Sequence, residues 1–245
     1  MRGWLGAAGA GGDYAPPRRQ AGASTQPFNF TVRLLMKRLL LLGVVVTFAV
    51  SVNAEAPPSL PFESMDWPAS MKKEPTKGIA LGTFQVTFET TTLTDVRKAA
   101  SAGTIAHTGD AGGSIYWLCY TIPHGHATDR IWIISHGEMG GPEGRVTSFA
   151  ASRIDNAKVT TDCPPLPGAM QPASLEIHVW LGAADAQVQR RLGTPSHHAR
   201  GWRAYNFRAK VPGDCEGGYD LLNWLFIKSL RGQVATIYAG QVSSC

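Results

Sequence analysis

Two kinds of apolar patterning organise the chain beyond residue 78. FQVTF at 84–88 and LEIHV at 175–179 alternate apolar and polar positions with a period of two, which predicts half-buried strands. RIWIIS at 130–135 and LLNWLFIKSL at 221–230 are instead apolar on both alternations and rich in β-branched and aromatic residues, as strands covered on both faces are. Helical spacing occurs in AADAQVQRRLG: Val188 and Leu192 lie four apart on one face, and Asp185 suits the first turn or the cap. Arg190 and Arg191 suit the C-terminal end of the dipole, Gly193 suits a left-handed stop, and Pro195 forbids continuation. The following PSHHARG is therefore expected to be a mobile surface turn leading to a strand that begins near Trp202.

A search for self-similarity changes the picture from a series of elements to a repeat. DVRKAASAGTIAHTGDAGGSIYWLCY parallels QVQRRLGTPSHHARGWRAYNF: Val96 answers Val188, a Gly-Thr recurs at 103–104 and 193–194, His107 answers His197, and W-x-x-Y runs from Trp117 to Tyr120 and from Trp202 to Tyr205. GRVTSFAA at 144–151 likewise parallels GQVATIYA at 232–239, with the offset staying between 85 and 92 residues. The Pro-rich stretch 161–173 reads as a linker between a first unit at 78–160 and a second at 174–245, with 55–77 as an extended lead-in. The expected fold is α+β, two tandem units, each a helix-containing segment packed on an antiparallel sheet.

The N-terminal region bears on compartment and charge. Residues 36–54 have a Lys37-Arg38 start, an apolar run over 39–50, and small residues Val52 and Ala54 flanking a cut before Glu55, the pattern of a secretory signal peptide. That run is shorter than the roughly 20 residues a membrane span needs, and no cysteine follows the cut to carry a lipid. Residues 1–35 are rich in Gly, Ala and Pro and read as a disordered leader or as preceding a true start at Met36. The formal charge of +5 belongs to this leader: from Glu55 onward there are 17 basic and 17 acidic residues, so basicity gives no reason to expect a nucleic-acid partner. The expected protein is periplasmic or secreted, without a stable membrane anchor. Four cysteines entering an oxidising compartment imply two disulfides. Four cysteines allow three pairings, and the parallel between the two units favours Cys119 with Cys163 and Cys215 with Cys245.

The second unit carries a resemblance. Gly182, Asp185, Val188, Leu192, Gly193, Pro195, Trp202 and Tyr205 form a helix, loop and W-x-x-Y strand that resembles the repeat of the SmpA/OmlA small outer-membrane lipoprotein family and of the tandem β-lactamase inhibitor proteins. The resemblance implies a BLIP-like helical layer on an antiparallel sheet, whose other face is open to a protein partner. The chain departs from those families in lacking a lipid-attachment cysteine, in its Pro-rich linker, and in a longer first-unit loop, GTIAHTGDAGGS, without the proline.

Three chemistries compete on this frame. Strands apolar on both faces suggest an interface or sheet-on-sheet contact, and Trp117, Tyr120, Trp132, Trp202, Tyr205 and Trp224 are the candidate partner-binding residues, with Trp180 and Phe226 beside them. The expected function is a non-enzymatic, inhibitor-like or envelope-assembly protein that binds another envelope or extracellular protein, with no cofactor. The alternative is a metal-dependent hydrolase, with His124, His126 and His136 as nitrogen ligands and Glu138 as an oxygen ligand. A serine nucleophile finds little support: there is no G-x-S-x-G, and Ser196 and His197 are neighbours in sequence, a poor arrangement for a nucleophile and its base.

Overall fold

The computed structural model describes residues 55–62, 65–137, 141–155, 157 and 159–245; the expected signal peptide and leader lie outside them. Among these residues, two α-helices and eleven strands form in the order β1 (Gly78–Leu81), β2 (Phe84–Thr87), α1 (Leu93–Ala100), β3 (Ala106–Thr108), β4 (Ile115–His124), β5 (Ala127–His136), β6 (Ser148–Asp155), β7 (Ala173–Ser174), α2 (Asp185–Leu192), β8 (His197–Ala199), β9 (Trp202–Val211), β10 (Tyr219–Leu230) and β11 (Gln233–Ser244). They make a three-stranded sheet, β2-β1-β7, and an eight-stranded sheet, β3-β4-β5-β6-β11-β10-β9-β8, with antiparallel pairing throughout.

This corrects the expected α+β fold of two tandem helix-on-sheet units. The protein is mostly β, and both halves of the chain share one large sheet, joined where β6 pairs with β11 from Ser152↔Thr236 to Ser148↔Gly240. The physical reason lies in the relative lengths of the elements. Each helix is stopped after eight residues, by Ser101 in the left-handed conformation in one case and by Gly193 at φ 70° before Pro195 in the other. The strands that are apolar on both alternations run for ten to twelve residues and need cover on two faces.

Local chemistry explains the short helices. Thr92 caps α1 in a reciprocal box with Asp95, its hydroxyl accepting from the Asp95 N–H while the Asp95 carboxylate accepts from the Thr92 N–H. Those bonds hold the Asp95 carboxyl below its ordinary pKa. Asp185 opens α2 from its first turn rather than capping it, and its carboxylate accepts from the Ser229 hydroxyl and from Arg203 at 2.6 Å, both tying the helix to the sheet. LEIHV is not a strand: pairing ends at Ser174, His178 N–H bonds back to the Leu175 carbonyl, and His178 sits at φ 55°. Its alternation survives because the turn buries Leu175 and Val179.

On one face of the large sheet, α1, α2 and the small sheet enclose the main core. Val96, Val188, Ile79 and Leu81 meet Leu118, Tyr120, Ile131, Ile133, Phe149, Tyr205, Leu225 and Ile237 there. Among the described residues the other face carries no helix.

Candidate functional site

Strand alternation decides which expected binding residues reach the helix-free face. The cross-strand pairs Trp117↔Ile134, Cys119↔Trp132 and Thr121↔Arg130 place one set together on it, and Trp224, Phe226, Ala204 and Tyr238 continue the row toward β9. Tyr120 and Tyr205 belong to the opposite, helix-side core. Both are fully buried, and burial pushes both phenols above their ordinary pKa.

Trp117, Trp132 and Trp224 do stand on the helix-free face but are only 3 to 6 % exposed. Trp202 is half-buried, with the Lys228 ammonium 5.9 Å from its ring centroid. Gly240 makes room for the Trp224 indole, since a Cβ there would stand 2.4 Å from the ring.

What covers these rings is the chain's own lead-in, 55–62 and 65–71, laid across the face as a strap. Its carbonyls are held by side chains of the sheet. Both indole N–H groups, of Trp117 and Trp132, donate to the Glu55 carbonyl at 3.0 Å, and Arg130 pairs with the Glu55 carboxylate. The Asn206 amide donates to the Trp67 carbonyl, and Arg208 donates to the Met65 carbonyl. The strap's aromatics fill a pocket over β8 and β10. The Phe62 ring lies edge-on to Trp67, His197 and Phe226 at 4.9, 5.4 and 5.0 Å, and Trp67 stacks flat on His197 at 4.6 Å. At the edge of β9 the N–H groups of Ser70 and Met71 close on the Asn206 carbonyl as the chain leaves the face.

The stretch expected to be a mobile turn is thus partly built into this arrangement. Residues 197–199 are an edge strand on β9, the Ser196 N–H and hydroxyl both donate to the Ala204 carbonyl, and the His197 ring is committed to the aromatic pocket. Sequence reasoning did not assign Arg130, Asn206, Arg208, Phe62, Trp67 or His197 to this face. The available signal was the parity of Arg130, Asn206 and Arg208 with the flanking apolar positions; nothing in 55–71 itself showed which face it covers.

The disulfides join Cys119 to Cys163 and Cys215 to Cys245. The first pins the 160–166 segment alongside the edge of β4, where Thr121 N–H donates to the Pro164 carbonyl and Leu166 N–H to the Thr121 carbonyl. Disulfides accord with an oxidising compartment outside the cytoplasm, and no helix among the described residues is long and apolar enough to cross a membrane.

The histidines of the metal alternative do not converge. In the β4–β5 hairpin His124 pairs with Ala127 at the turn, whereas His136 pairs with Ile115 at the other end. Nine residues of strand separate Ala127 from His136, about 30 Å of extended chain. Glu138 lies outside the described residues. Among the described residues, no group of three His, Cys, Asp or Glu side chains could hold a metal ion.

His136 instead borders a polar cleft of 690 Å³ with Glu89, Glu143, Arg145, Tyr219 and Ser243. Its Nδ1 lies 2.9 Å from the Thr147 hydroxyl and 3.3 Å from that of the fully buried Ser148. Burial lowers its pKa below the usual 6.5. A base depressed in the folded state stabilises fully above the unfolded pKa, and that contribution is lost as pH falls from about 6.5 through the folded value. Stability measured by denaturant titration from pH 8 to 5 is expected to fall on the acid side, and the slope near pH 6 should be shallower in His136→Gln. An unchanged slope in that variant would show that the histidine titrates as it does unfolded.

Comparison of the chain with family models, with curated proteins and with solved structures finds no match.

Proposed function

We propose that this protein is an exported, non-catalytic recognition module whose helix-free sheet face binds an extended segment of another envelope or extracellular protein. The carrying observation is the manner in which that face already holds 55–71: indole, amide and guanidinium donors reach backbone carbonyls, and an aromatic pocket receives Phe62 and Trp67. Backbone-directed donors tolerate many sequences, whereas the pocket selects side chains, the division of labour of peptide-binding grooves generally. The Trp224 indole N–H, buried and without an acceptor among the described residues, leaves one further donor for a carbonyl. Arg208, Lys210 and Lys228 share this face with Asp220, which favours an acidic, aromatic-bearing partner segment.

A strap in cis competes with such a partner, so apparent affinity is reduced by the fraction of time the face is free. Affinity capture from envelope and culture extracts, with residues 55–245 as bait, tests this. The double variant Phe62→Ala/Trp67→Ala, which keeps the face but loosens its cover, is expected to recover the same partner at least several-fold more efficiently. Identical background from both baits across a range of salt would remove the proposal.

A further inference from the structure

Two lines of argument meet on the same residue. The expected export cut falls between Ala54 and Glu55, and the strap's anchor on the sheet is Glu55. Trp117 and Trp132, on neighbouring strands, aim both indole N–H groups at one carbonyl oxygen, and Arg130 takes the carboxylate of the same residue. All three side chains are buried, at 4, 3 and 6 % exposure. Without that carbonyl, two buried N–H donors would lose their acceptor, and a buried donor without a partner is costly. The arrangement recognises one residue by its backbone and its acidic side chain together, which packing alone does not require.

We propose that Trp117, Trp132 and Arg130 form a binding site for Glu55, the first residue of the chain once the expected leader is removed, so that the strap is fastened at its end. The site takes an N-terminal acidic residue, held through its carbonyl and its carboxylate. This rests on the export reading and is independent of whether the face binds a partner. Once seated, Glu55 is withheld from exopeptidases of the envelope.

The test expresses the full chain with its leader in an exporting host and measures the recovered protein by intact mass. It then follows trimming by a broad-specificity aminopeptidase in the unsubstituted chain, in Trp117→Phe/Trp132→Phe, which keeps an aromatic ring at each position but lacks the indole N–H, and in Glu55→Ala, which removes the Arg130 pairing without touching the core. The expected result is a chain beginning at Glu55 that is trimmed at least tenfold more slowly than the double variant, with Glu55→Ala between them. A chain that retains its leader or begins elsewhere would overturn the export reading and the latch together. A chain that begins at Glu55 but is trimmed as fast as both variants would overturn the latch alone.

Discussion

Phe226→Ala is expected to lose about 3–5 kcal/mol of folding stability, as large-to-small substitutions of buried aromatic residues do. Phe226 is fully buried on the helix-free face, and its ring is the floor on which the strap rests, 5.0 Å from Phe62 and 6.5 Å from Trp67. Removing it opens a void beneath two aromatic rings contributed by a segment that is not paired along its length. The strap should therefore loosen before the sheet does. In hydrogen exchange the Ser70 and Met71 amides, which close on Asn206, should lose protection under conditions where the amides of β10 and β11 keep theirs. Ile227→Val, one residue away but facing the helix-side core, is the control: it should cost about 0.5–1.5 kcal/mol and leave the strap seated. Equal loosening in both variants would mean that the strap responds to global stability and has no seat of its own on Phe226.

Removing the Cys119–Cys163 bond, as Cys119→Ser/Cys163→Ser, is expected to cost about 4 kcal/mol on the chain-entropy estimate for a loop of this length. The bond spans 44 residues with its Cα atoms 4.6 Å apart, and both cysteines are buried. It holds the 160–166 segment along the edge of β4, so its loss frees that edge as well as removing a crosslink. Cys215–Cys245 spans 30 residues, and Cys245 is exposed. On graded reduction followed by alkylation and peptide mapping, Cys215 and Cys245 should label first, with Cys119 and Cys163 labelling only as the protein unfolds. The reverse order would show that the face opens more readily than its burial suggests.

Much of the strand content was legible. RIWIIS and LLNWLFIKSL lie within β5 and β10 because apolar, β-branched runs that long leave the backbone few alternatives. The cysteine pairing followed from the parallel positions of the four residues, and α2 ends where Gly193 and Pro195 require. LEIHV misled because two apolar residues buried by a turn produce the same alternation as a strand.

The larger correction, from separate helix-bearing units to one mostly β sheet, was not legible because a sequence read element by element does not say that β6 will pair with β11. The surplus of apolar positions on both strand faces suggested an interface or sheet-on-sheet contact, and the described structure puts a cover of its own chain there. Its identity was hidden because the cover, 55–71, has no periodicity of its own and is held through its carbonyls. The parity of W-x-x-Y also went unused: with Trp and Tyr three apart on a strand, Trp117 and Tyr120 must face opposite sides, as must Trp202 and Tyr205.

The most direct measurement of the central claim, that the helix-free face holds an extended segment in cis, is hydroxyl-radical footprinting of the intact protein read at individual tryptophans. With 55–71 seated, Trp117, Trp132 and Trp224 should label slowly and half-buried Trp202 faster, and Phe62→Ala/Trp67→Ala should raise labelling at Trp224 while leaving the helix-side Tyr120 unchanged. Labelling of Trp117, Trp132 and Trp224 at the rate of free tryptophan in the unsubstituted protein would contradict the claim.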